Sequence, residues 1–90
     1  MSNQIDRMGE YTLQRDEQGE WSVEGPNPDV TLWVDENRQG EGLVVKVAWM
    51  VSGGALPDHA ADFGNELINA SQAAKYFTDV VNLPEYNEQD

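Results

Sequence analysis

Cysteine is absent from this 90-residue chain. Its absence excludes a disulfide framework, a thiolate metal site and a cysteine nucleophile. Positive charge is scarce: five Lys and Arg stand against 17 Asp and Glu, for a net charge of −12. A grip on a phosphate backbone needs clustered Lys and Arg, so no direct binding of nucleic acid is expected. The same argument excludes attraction to an anionic membrane surface. Histidine occurs once, as His59, so there is no second imidazole to complete a zinc site. No apolar run approaches the roughly 20 residues that span a bilayer. The opening residues, Met1-Ser2-Asn3-Gln4-Ile5-Asp6-Arg7, lack the apolar core of a signal peptide. A cytoplasmic protein is the expectation, with partners that are basic surfaces, cations or other proteins.

Ninety residues suffice for one domain with one modest core. Its most apolar stretch is residues 42–51, Gly-Leu-Val-Val-Lys-Val-Ala-Trp-Met-Val, in which Lys46 is the only charge. Such a valine-rich run between Gly40-Glu41 and Ser52-Gly53-Gly54 reads as a β-strand. Alternation places Leu43, Val45, Val47, Trp49 and Val51 toward the core and Val44, Lys46, Ala48 and Met50 on the other side. The second set is also mostly apolar, so the strand is expected to be central and covered at least partly on both faces.

Residues 1–9 are polar and read as a loose arm. Tyr11 and Leu13, then Trp21 and Val23, alternate with polar residues on either side of Asp16-Glu17-Gln18-Gly19, which predicts a hairpin over residues 10–24. Gly25-Pro26-Asn27-Pro28 breaks that pairing, because proline has no N–H for a ladder. A third strand follows at residues 30–34, with Val30, Leu32 and Val34 inward and Thr31 and Trp33 outward. Beyond the Ser52-Gly53-Gly54-Ala55-Leu56-Pro57 hinge the apolar period becomes helical. Ala60, Phe63, Leu67, Ala70, Ala74, Phe77 and Val81 form one stripe of an amphipathic helix over residues 58–82. Asp58 is the candidate N-cap. Asn69-Ala70-Ser71-Gln72 could start a second helix, although the stripe keeps its phase across it. Leu83-Pro84 ends the helix, and residues 83–90 form an acidic tail. The fold class is therefore α+β, a meander of about four antiparallel strands packed on one C-terminal helix, kinked or split or neither.

Motifs for chemistry are weak. His59 beside Asp58 and Asp62 suits a solvated first helical turn better than a general base or a metal ligand. Ser52-Gly53-Gly54 lacks the GK[ST] of a phosphate loop. Asp35, Glu36, Asn37 and Glu41 lack EF-hand spacing. No serine sits in a nucleophile elbow. The expectation is a non-enzyme with no catalytic residue, no cofactor and no metal.

The acids are distributed unevenly: ten in residues 1–41, none in 42–57 and seven in 58–90. On the hairpin, Glu10, Glu20 and Glu24 share an outer face with Asp16 and Glu17 at the tip. Carboxylates two apart on a strand lie about 6.6 Å from each other, comparable to phosphates along a backbone. Trp33 and Met50 fall together on the second face of the sheet, an aromatic and a methionine among acids, which suits a binding hot spot. Glu10, Asp16, Glu17, Glu20, Glu24, Trp33 and Met50 are thus the candidate partner-binding residues. In being short, cysteine-free, strongly acidic and mixed sheet and helix, the chain resembles the small inhibitors encoded by phages and mobile elements, anti-CRISPR and anti-restriction proteins among them. That resemblance covers size and charge and carries no residues across. It implies an acidic protein-binding inhibitor, a nucleic-acid mimic that blocks a basic nucleic-acid-binding surface inside a bacterial or phage-infected cell. The alternatives are an immunity protein or antitoxin that plugs a toxin active site, and an accessory subunit that forms a homodimer through the second face of the apolar strand.

Overall fold

A computed structural model describes residues 3–50, 54 and 56–86. The elements are β1 (Asn3–Met8), β2 (Tyr11–Arg15), β3 (Trp21–Glu24), β4 (Val30–Glu36), β5 (Leu43–Trp49) and α1 (Pro57–Val81), then a 3-10 turn at Pro84–Tyr86. The strands form two antiparallel sheets, β1-β2-β3 and β4-β5, and α1 contacts both. The class is α+β, as the switch of hydrophobic period implies, with five strands in place of four. No helix among the described residues is long and apolar enough to cross a membrane.

The fifth strand comes from the segment expected to be a loose arm. Asn3–Met8 runs along β2 from the pair Asn3–Arg15 to the pair Met8–Tyr11. Its signal is weak because an edge strand gains stability from ladder hydrogen bonds and needs little apolar burial. The turn that makes it possible was nonetheless written in the chain. Gly9, with φ 60°, stands at the first central position of the Met8–Tyr11 turn, where a type II′ hairpin favours glycine. A bulge between Gln4 and Asp6 turns half-buried Ile5 toward the core.

The hairpin of β2 and β3 and the inward positions Val30, Leu32 and Val34 of β4 match the alternation of the sequence. One continuous meander does not form. Across Gly25-Pro26-Asn27-Pro28 the chain turns on itself, with the Asn27 side chain accepting the Asp29 N–H at 2.9 Å and its C=O accepting the Val30 N–H at 3.1 Å. With two prolines in the segment the ladder cannot continue, so β4 starts a second sheet. Gly25 also lets the chain pass the buried Tyr11 ring, since a Cβ there would lie 2.6 Å from a ring carbon.

The core lies between the sheets and the second half of α1. Tyr11, Leu13, Val30, Leu32 and Val45 meet Ala70, Ala73, Ala74, Phe77, Val80 and Val81. β5 is not central. Among the described residues it pairs only with β4 and its outer face is open, and Trp49 at its far end is 59% exposed despite its inward parity. One helix can cover only one face of a two-stranded sheet, and α1 binds the Leu43–Val45 end of β5 through Asn82 and Thr78. Val51 lies outside the described residues, as do Ser52, Gly53 and Ala55 of the hinge.

α1 is one unbroken helix through Asn69-Ala70-Ser71. It begins one residue earlier than the sequence suggests: Leu56 is the N-cap, without a side-chain cap, and Asp58 lies in the first turn. Pro57 takes N1, where its fixed φ is preorganised and its missing N–H costs nothing. The expected acidic tail is in part a docked turn, as Tyr86 packs edge-to-face on Trp21 with centroids 5.5 Å apart. Arg15 lies 4.5 Å over the same indole and donates to the Tyr86 C=O at 3.2 Å. Residues 87–90 lie outside the described residues.

Gly64 sits inside α1, where nothing lies within 4 Å of an added Cβ. Gly64→Ala is expected to stabilise the fold by about 0.5–1 kcal/mol through reduced chain entropy. Thermal melting checks this; a lowered midpoint would mean that another chain segment needs the bare backbone.

Candidate functional site

The tip of the β2–β3 hairpin is built by Asp16. Its Oδ1 accepts the N–H of Gln18 at 2.9 Å and of Glu20 at 2.8 Å, while the backbone closes through Gly19, at φ 85°. One carboxylate oxygen of Asp16 is therefore engaged in holding the turn. Glu17 and Glu20 are displayed at the exposed tip that it shapes.

The remaining hairpin acids do not form the expected carboxylate ladder. Strand register places Glu24 opposite Thr12, and Thr12 opposite Arg7 on β1. The next row is neutral, Ser22 with Gln14 and Gln4. Glu24 also accepts Gln14 Nε2 at 2.8 Å. Glu10 lies in the β1–β2 turn and lines one shallow depression with Glu24, together with Arg7, Thr12, Gly25 and Pro26. Glu10 and Glu24 thus make one acidic spot beside a cation, and Glu17 and Glu20 make a second. Positions 20 and 24 are about 13 Å apart along an extended strand. Sequence alternation could not see Arg7 in this face, because β1 was not recognised as a strand.

The outward register of β4 holds. Trp33 is 38% exposed and stands opposite Lys46, with Thr31 opposite Ala48 and Asp35 opposite Val44. Met50 is 78% exposed, and its N–H continues the ladder to the Asp29 C=O at 3.0 Å. Trp33 and Met50 therefore share a face but do not touch in register, since the Thr31–Ala48 pair lies between them. Lys46 Nζ reaches Asp35 Oδ2 at 3.0 Å beside Trp33. That hydrogen bond from Lys46 and another from the Glu36 N–H hold the Asp35 carboxyl below its ordinary value.

Other candidates have structural roles or none visible. His59 is exposed on the first turn of α1. The Asp35-to-Glu41 loop is closed by the Asn37 N–H on the Gly42 C=O at 3.0 Å, and Asn37 Oδ1 accepts the Gln39 N–H at 3.1 Å. Among the described residues no three His, Asp or Glu side chains gather in a way that could hold a metal ion.

Three polar links between sheet and helix went unread in the sequence. The Tyr11 hydroxyl donates to Glu66 from a ring that is only 3% exposed. Desolvation first, then that bond, push the phenol well above its ordinary value. Tyr76 donates to Asp6 at 2.6 Å, which raises the Tyr76 phenol too. Asn82 and Thr78 grip the edge of β5: Asn82 Oδ1 accepts the Leu43 N–H and its Nδ2 donates to the Leu43 C=O, both at 2.8 Å. Thr78 Oγ1 accepts the Val45 N–H at 3.0 Å. The available signal was a polar pair four apart beside the apolar stripe, which also fits a solvated flank. No protein-family model matches this chain, and comparison with curated proteins and with solved structures finds no match either.

Proposed function

We propose that this protein is a non-enzymatic acidic inhibitor that binds a basic nucleic-acid-binding surface of another protein in the cytoplasm of a bacterial or phage-infected cell. The observation that carries the reading is where the charge sits. The chain carries a net charge of −12, and no polar or charged side chain is buried among the described residues, so the acids described lie at the surface. Each acid displayed there offers oxygens to Lys and Arg in the geometry of charge-assisted hydrogen bonds. The field of the whole surface steers a basic partner inward. Glu10 with Glu24 and Glu17 with Glu20 are the two acidic spots of the hairpin, and Asp16 shapes the second. On this reading the carboxylates imitate phosphates as two separated clusters instead of as a continuous row. Trp33 and Met50, uncovered on the β4–β5 face, supply apolar contact that salt does not screen.

The test is kinetic. A nucleic-acid-binding protein captured on this chain is immobilised, and association is followed by surface plasmon resonance across a salt series, with duplex DNA as competitor. Replacing Glu10, Glu20 and Glu24 together by Gln keeps side-chain shape, so it should slow association and flatten the salt slope without unfolding the protein. Trp33→Ala should raise the dissociation rate and leave the slope unchanged. Equal association by the triple variant, or indifference to DNA, would remove the hairpin from the mechanism.

A further inference from the structure

Along an antiparallel strand, successive residues send their N–H and C=O groups to opposite edges. In β5 the even positions face β4, as the Met50 N–H on the Asp29 C=O shows. The odd positions face outward, where Asn82 caps Leu43 and Thr78 caps the Val45 N–H. The capping stops there. Among the described residues no group pairs with the outward N–H and C=O of Val47 or with the outward N–H of Trp49. Beside this open stretch runs a groove between β5 and α1, lined by Val45, Val47, Ala74, Lys75, Thr78 and Asp79. Natural edges are usually covered, shortened or charged. Among the described residues half of this edge is covered and half is left open, within residues 42–57, the longest stretch of the chain without an acid.

We propose that the open half of the β5 edge is a strand-addition site that takes an extended, net-basic segment of the partner protein with apolar residues at alternate positions. The inference rests on the basic-partner reading and adds how the backbone of that partner is held. Main-chain bonds to Val45 C=O, Val47 and Trp49 would fix the segment, and its inward side chains would enter the groove over Val45, Val47 and Ala74. Exposed Asp79, one turn from Lys75 in the same lining, offers a carboxylate to a lysine or arginine of the segment, and Trp49 offers an aromatic face to another. Charge selects such a segment over a second copy of this chain. A second copy would bring another net charge of −12, whereas a basic segment is drawn in by it.

The experiment uses the full chain, labelled with nitrogen-15, and two probe peptides at millimolar concentration. One is acetyl-Lys-Val-Arg-Val-Lys-amide; the other has the same sequence N-methylated at every internal amide, so it keeps the charge but cannot join a sheet. The first should slow exchange of the Val47 and Trp49 amides severalfold and shift their resonances, and the second should do neither. Strand addition is sequence-tolerant, so absence of protection with the first peptide overturns the proposal. Identical shifts from both peptides, confined to Glu10, Glu17, Glu20 and Glu24, also overturn it, while leaving the basic-surface reading standing. Protection of Val47 that persists at high salt and in the triple glutamine variant would support the edge and count against phosphate mimicry.

Discussion

Phe77→Ala is expected to cost about 3–5 kcal/mol, while Trp49→Ala should cost well under that. Phe77 is 0% exposed and, with Leu13 and Val81, is among the largest fully buried side chains of the core. Its ring lies where α1 closes on both sheets, and truncation leaves a cavity that two sheets and a helix cannot collapse around together. Domains of this size have total stabilities of roughly 5–15 kcal/mol, so the variant should be close to unfolding at ambient temperature. Phe77→Leu, which keeps most of the volume, should lose much less. Trp49 is the larger residue, and the apolar run around it makes it look like the heart of the fold, but at 59% exposure most of its surface is already in water. Urea titrations of the three variants decide the matter. Equal midpoint shifts for Phe77→Ala and Trp49→Ala would place the core at β5 and contradict the packing described above.

Gly42→Ala is expected to destabilise by about 2–3 kcal/mol through two effects that act at one point. The residue has φ 85°, in the left-handed region where a Cβ is strained. An added Cβ would also collide with the amide of Asn82. That amide pairs with both the N–H and the C=O of Leu43 and also donates to the Thr78 C=O, so its displacement detaches β5 from the end of α1. Asn82→Ala removes the same bonds without the backbone strain and should cost less. In a double variant the two losses should not add, because the second substitution finds the contact already broken. Fully additive losses would mean that Gly42 matters for its backbone alone.

Much of the hairpin was legible because its signals are local. Tyr11, Leu13 and Val23 alternate, Asp16 to Gly19 carries the turn, and neither needs a distant partner to be recognised. The acidic surface was legible as a composition but not as a pattern. Whether Glu10, Glu20 and Glu24 form a row depends on the residues opposite them, and Thr12, Ser22 and Arg7 come from strand register, one of them from an edge strand with almost no apolar signature. For the same reason Trp33 and Met50 are on one face, as parity predicts, yet are separated by the Thr31–Ala48 pair.

The sequence by itself determined the class, the helix and the direction of each side chain along β4, since period, proline and turn glycine act within a few residues. It also determined the charge. Only the tertiary structure decided which apolar face is buried, because a face is removed from water only where another element arrives to cover it. α1 reaches the Leu43 and Val45 end of β5 through Asn82 and Thr78, and Trp49 at the other end remains exposed. Burial is a long-range outcome of where one helix lies, and alternation within a strand carries no information about that.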